Sequence, residues 1–164
     1  MADGKVLHAS HDGVHVLRYI GDIRYTLTPS INRFLEGVFA GPKPAGFVID
    51  LTQADSIDST NLGQLARIAM RMQELEAPRV TLVSNRTDIN SVLASMALDE
   101  VFDIVEDTGP VAGAERELPQ ADADKETLAR TLIDAHRALM ELSEHNEEMF
   151  RDVVASLEKN RAGS

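Results

Sequence analysis

Three short runs rich in apolar and β-branched residues, FVIDL (47–51), RVTLV (79–83) and DIVED (103–107), alternate with segments whose apolar residues recur every three to four positions. This alternation constrains the fold more than any other feature. Strands separated by helices cannot pair as hairpins. Each return to the sheet needs a crossover, so neighbouring strands run parallel and the helices pack on them. FVIDL is almost unbroken in apolar character, which predicts a central strand buried on both faces.

Upstream, KVLHAS and GVHVLRYIG alternate apolar and polar residues with period two around His11-Asp12-Gly13, which predicts a β-hairpin. Thr28-Pro29 then reads as a helix start, with Thr28 as N-cap and Pro29 at the first helical position. Ile31, Phe34, Leu35, Val38 and Phe39 form its apolar face, and GPKPAG (41–46) stops it. A second helix begins near Thr60, with Leu62, Leu65, Ile68, Ala69, Met72 and Leu75 on one face and Pro78 at its end. RTDINSVLASMALDEVF (86–102) predicts a third. The order β-β-α-β-α-β-α-β implies an α/β fold with a mixed, largely parallel sheet.

The chain has 164 residues, room for one such domain and an appended element. The character changes after residue 107: TGPVAGAERELPQADAD holds two prolines, two glycines and many alanines and acids. The expected division is a domain over 1–110, a linker over 111–124 and a long helix over 125–160. Lys125 to Asn160 contains no Gly or Pro, and Asp124 is placed to cap it. Leu128, Leu132, Ala135, Leu139, Leu142, Met149 and Val153 recur in steps of four and three, with Asn146 in the same series. Such a heptad pattern suits a homodimeric coiled coil in which Asn146 sets register. Phe150 and Leu157 widen the apolar face, which suits instead a helix docked on a globular domain.

Composition excludes several chemistries. Cysteine is absent, so disulfides, thiolate catalysis and Cys-based zinc sites are excluded. Net charge is −11 without a basic stripe, which argues against nucleic acid. No apolar run approaches a membrane span, and MADGKVLHASHDG lacks the basic start and apolar stretch of a signal peptide, so a cytoplasmic setting is expected. His8, His11 and His15 lie close together in the first hairpin, where exposure accounts for them more simply than a metal does. His136 and His145 share no helical spacing and read as solvated or packing side chains. No cofactor or metal is expected.

The segment LTQADSIDSTNLGQL (51–65) carries two Asp-Ser pairs, Asp55-Ser56 and Asp58-Ser59, between a strand and a helix. It lacks the G-x-S-x-G of a hydrolase elbow, and no spacing nominates a histidine partner. Ser59 or Thr60 stands at a helix N-terminus. One reading is a capping hydroxyl. The other is phosphorylation, which a helix N-terminus tolerates because free amides and the dipole favour an anion. Phosphate would add up to about two negative charges beside Asp55 and Asp58, repelling a partner docked there.

On three stretches the chain resembles the STAS-domain family, the anti-sigma factor antagonists of bacterial partner switching: GDIRYTLTP (21–29), FVIDLTQADSIDSTNLGQL (47–65) and RVTLVSNRTDINSVLASMALDEVFDIVED (79–107). The resemblance spans roughly residues 4 to 107. It implies a non-enzymatic regulator that binds an anti-sigma factor when unphosphorylated, is released by a serine kinase and is restored by a phosphatase, with motility or biofilm choice as output. The phosphoacceptor of the family falls on Ser59, between Asp58 and Thr60, and Asp22 matches its nearby acidic position. The family's glycine is Asn61 here, whose tolerance of unusual backbone angles suits the turn. Ser56 repeats the Asp-Ser context in what reads as an accessible loop, so the candidate phosphoacceptors are Ser59, Ser56 and Thr60, with Asp22, Asp55, Asp58 and Asn61 as partner contacts. The rival readings are an oligomerising scaffold acting through Leu132, Leu139, Leu142, Asn146, Met149 and Val153, and a small serine hydrolase.

Overall fold

A computed structural model describes residues 3–110 and 112–162. The first two residues of the expected domain and the first of the expected linker lie outside the described residues. Strands β1 (Lys5–His11) and β2 (Val14–Ile23) form the hairpin. Its turn residues Asp12 and Gly13 both take positive φ, 51° and 81°, as a tight two-residue turn between right-twisted strands requires. There follow α1 (Thr28–Ala40), β3 (Gly46–Ile57), α2 (Ser59–Glu74), β4 (Thr81–Val83), α3 (Thr87–Ser95) and β5 (Asp103–Val105). The sheet order is β5-β4-β3-β2-β1-β6, where β6 (Arg116–Glu117) is a short strand inside the expected linker. β2, β3, β4 and β5 run parallel, and β1 is antiparallel to both β2 and β6.

The sheet buries one face. Leu17, Tyr19 and Ile23 on β2 and Phe47, Ile49 and Leu51 on β3 are almost wholly enclosed and share a core with residues of α1, α2 and α3. The alternate positions Val16, Arg18, Ile20, Val48 and Thr52 are half-buried. The expectation that β3 is buried on both faces therefore holds in full on one face and, on the other, at Asp50. Asp50, on the other side, is held by the Thr52 amide and hydroxyl, at 2.8 and 2.7 Å, and by Arg18 at 3.7 Å.

Several boundaries differ from the sequence reading. Thr28 is not a side-chain N-cap. A 3-10 turn at Tyr25–Leu27 runs straight into α1, and the Thr28 hydroxyl donates back to the Tyr25 carbonyl at 2.6 Å. The third helix stops at Ser95 because Ala97 enters the left-handed region, φ 61°, and a 3-10 turn at Leu98–Glu100 completes the connection. The C-terminal segment is helical but not continuous. It forms α4 (Lys125–Met140) and α5 (Glu144–Ala162), joined by a turn at 141–143 and packed against each other as a hairpin. Ser143 starts α5, its Oγ accepting the Asn146 amide at 3.1 Å. Asp124 caps α4, accepting the Thr127 amide at 2.7 Å.

Candidate functional site

The site is built where β2 and β3 end and α2 begins. β3 runs six residues past the apolar run that announces it, so Ser56 lies in a strand rather than a loop. Two register irregularities between β2 and β3 bring Asp22 opposite Ser56. Gly21 stands at the second of these with φ 87°, a backbone angle that favours glycine. The Ser56 hydroxyl donates to Asp22 Oδ1, and Arg24 Nε donates to Asp22 Oδ2 at 2.8 Å. The Ser56 bond, and after it Arg24, hold the Asp22 carboxyl below the usual carboxylate range against the opposing effect of desolvation. Asp55 points the other way and pairs with Arg86 at 3.3 Å, while Arg86 also donates to the Ala54 carbonyl at 2.8 Å.

Asp58, not Ser59 or Thr60, is the N-cap of α2. Its Oδ1 accepts the Asn61 amide at 2.9 Å, and its Oδ2 accepts the Tyr25 amide at 2.7 Å. One carboxylate thus fastens the helix start to the turn that follows β2. Asn61 is fully buried within the first turn of α2, and its Nδ2 also donates to Asp58 Oδ1 at 2.9 Å. Its φ is not positive, so its role is to donate twice to the capping carboxylate and not to tolerate an unusual backbone. Thr60 is buried.

Ser59 is the first residue of α2 and is half-buried. Its Oγ lies 2.9 Å from His136 Nε2, on α4. His136 is buried, and its Nδ1 lies 2.7 Å from the Leu132 carbonyl. A carbonyl only accepts, so Nδ1 carries the proton and Nε2 accepts from the Ser59 hydroxyl. Nothing in the local pattern joins residues 59 and 136, and the sequence reading of His136 missed this contact. Gly63 carried a visible signal: a glycine inside a strong helical pattern marks close backbone approach. A Cβ there would sit 2.2 Å from the Ala135 carbonyl oxygen, so α4 lies directly against α2 at this point.

A partly buried polar chain extends the same interface. Asn32 on α1 donates to Thr131 Oγ1 on α4 at 3.0 Å, Gln64 on α2 donates to Asn32, and Arg67 donates to Gln64 at 3.0 Å. The heptad residues divide. Leu139 and Asn146 are buried, Leu132 and Leu142 are half-buried, and Met149 and Val153 are 41% exposed. Asn146 Nδ2 donates to the carbonyls of Met96 and Leu139, each at 2.8 Å, which ties α5 to α4 and to the end of α3. In the first hairpin His8 pairs with His15, Nε2 to Nδ1 at 3.0 Å, rather than with His11, and both rings pack near Phe34.

No helix among the described residues is long and apolar enough to cross a membrane. A STAS-domain family model matches residues 6–110. The crystal structure of an anti-sigma factor antagonist from Mycobacterium paratuberculosis aligns with a TM-score of 0.54 at 22% identity, covering 64% of this chain and 87% of that one. No curated protein matches the sequence.

Proposed function

The chain belongs to the STAS-domain family, and from that premise we propose that it is a cytoplasmic anti-sigma factor antagonist switched by phosphorylation of Ser59. The observation that carries this reading is the position of the Ser59 hydroxyl at the first residue of the 16-residue helix α2. Phosphate there meets the positive end of the helix dipole. Ser56 is less suited, because its hydroxyl is bonded to the Asp22 carboxylate and a phosphate in its place would face a like charge. Thr60 is buried. In the unmodified state the neutral Ser59 hydroxyl beside Asp58 adds no charge against an anti-sigma factor. In the modified state the added charge repels it, a kinase and a phosphatase setting the balance.

Intact-mass and fragment analysis of the protein from its host tests the assignment, with one phosphate expected on Ser59 and none after Ser59→Ala. Ser59→Asp is expected to weaken anti-sigma factor binding at least tenfold, with Ser59→Ala binding as the parent does. A phosphate on Ser56, or unchanged affinity in Ser59→Asp, would overturn the assignment.

The Ser59–His136 pair favours a second reading, a serine hydrolase, since an imidazole held by a backbone carbonyl can take a proton from a hydroxyl. The cavity of about 570 Å³ between α1, α2 and α4 is lined by neither residue. A fluorophosphonate probe decides between the two: covalent labelling of Ser59 supports a hydrolase, and the switch reading expects none.

A further inference from the structure

We propose that the α4–α5 hairpin is a displaceable occupant of the α2 stripe on which the anti-sigma factor docks, so that kinase and partner gain Ser59 only when the hairpin leaves. This rests on the partner-switching reading above and adds to it the surface used and the segment that guards it. Ser59, Gly63 and Ala66 follow one another at helical spacing along α2, on the flank beside the apolar row Leu62, Leu65, Ala69 and Met72. α4 lies on this stripe, with the Ala135 backbone against Gly63 and His136 on the Ser59 hydroxyl. The hairpin thus packs on this flank of α2 through α4, with α5 against α4.

Three observations make the hairpin separable. Much of its seat consists of small residues and hydrogen bonds: Gly63 on Ala135, Ser59 with His136, and Asn32 with Thr131. Such polar contacts exchange for water at small net cost. Ala138, Leu139 and Phe150 add apolar contact with the core, with Met140 and Leu142 packed beside them. The segment leading to the hairpin is exposed from Glu106 through Glu117 wherever it is described, apart from the clasp of β6 and Leu118 on β1. It can therefore hold the hairpin close after release. Finally, Ser59 and its imidazole partner face each other across the interface, so a phosphoryl group on Ser59 and His136 in its present place compete for the same space.

The test needs neither kinase nor partner. The chain has no cysteine, so Ser59→Cys installs a single thiol. His136→Gln in the same background removes the imidazole that would activate it. Gly63→Ala then drives a wedge into the α4 seat while giving α2 a better helix former. Thiol labelling by a neutral maleimide is expected to rise at least tenfold on adding Gly63→Ala. Hydrogen exchange should accelerate over residues 125–162 and stay slow in β1, β2 and β3. Equal labelling rates despite a released hairpin would overturn the proposal, as would loss of protection in the sheet along with the hairpin. If Gly63→Ala leaves the hairpin docked, Gly63→Leu supplies a larger wedge, and a hairpin protected against both is part of one core and no guard. Failure of the switch reading appears separately, as absence of phosphate on the host protein.

Discussion

Single side chains at the site act through the backbone groups they satisfy. Asp58 serves two segments, the start of α2 and the turn at Tyr25. Asp58→Ala is expected to lower stability by about 1–2 kcal/mol, read as a lower urea midpoint, with Asp58→Asn losing less because it keeps an accepting oxygen. Asn146 allows a sharper comparison. As a staple it donates to the Met96 and Leu139 carbonyls, so Asn146→Leu should cost about 1–3 kcal/mol by removing both bonds and should not promote association. As a coiled-coil register residue it would show the opposite, since leucine at such a seam stabilises association. Thermal melts together with sedimentation of Asn146→Leu tell the two apart. The sequence placed Asn146 correctly in an apolar series, but a period cannot say whether the facing helix belongs to the same chain.

Among the elements, the β1–β2 hairpin carries a pH dependence. His8 and His15 hydrogen-bond to each other beneath α1, and both pKa values lie below the ordinary histidine value. Burial is the larger cause for His8, followed by the charge of His15, and burial is the cause for His15. The folded state therefore disfavours protonation. Its contribution is complete above the unfolded value of 6.5 and is lost as pH falls through the depressed folded values. The melting temperature should drop between pH 7 and pH 5, and His8→Gln should flatten that slope. An unchanged slope would remove the pair from the account. This hairpin, with its Asp12-Gly13 turn, was readable in the sequence because turn and period are local signals. The extension of β3 to Ile57 was not, because QADSI has no strand period and is held by pairing with β2. The break at 141–143 had a local signal in Ser143 followed by Glu144 and Glu147, but the heptad running through it masked the cap.

For the whole molecule, the hairpin uses most of the heptad surface internally. Leu139 and Asn146 are enclosed, Ala135 lies on α2, and of the series Met149 and Val153 remain exposed. Sedimentation at micromolar concentration is accordingly expected to give a monomer, and a dimer that Met149→Glu with Val153→Glu dissolves would show that α5 pairs between chains. The alternation of strand and helix, the parallel sheet, the capping signal before α4 and the Asp-Ser pairs at a strand-to-helix junction were all determined by the sequence itself. Each rests on periodicity, turn chemistry or a spacing of a few residues, which the chain carries locally. Tertiary structure alone decided that Ser56 faces Asp22, that Asp58 caps α2 and that His136 reaches Ser59 from 77 residues away. Those contacts depend on strand register and on which helix surfaces fit, and the docking of α4 turned on a missing side chain at Gly63. Such fits are settled by packing between distant segments, and no local period records them.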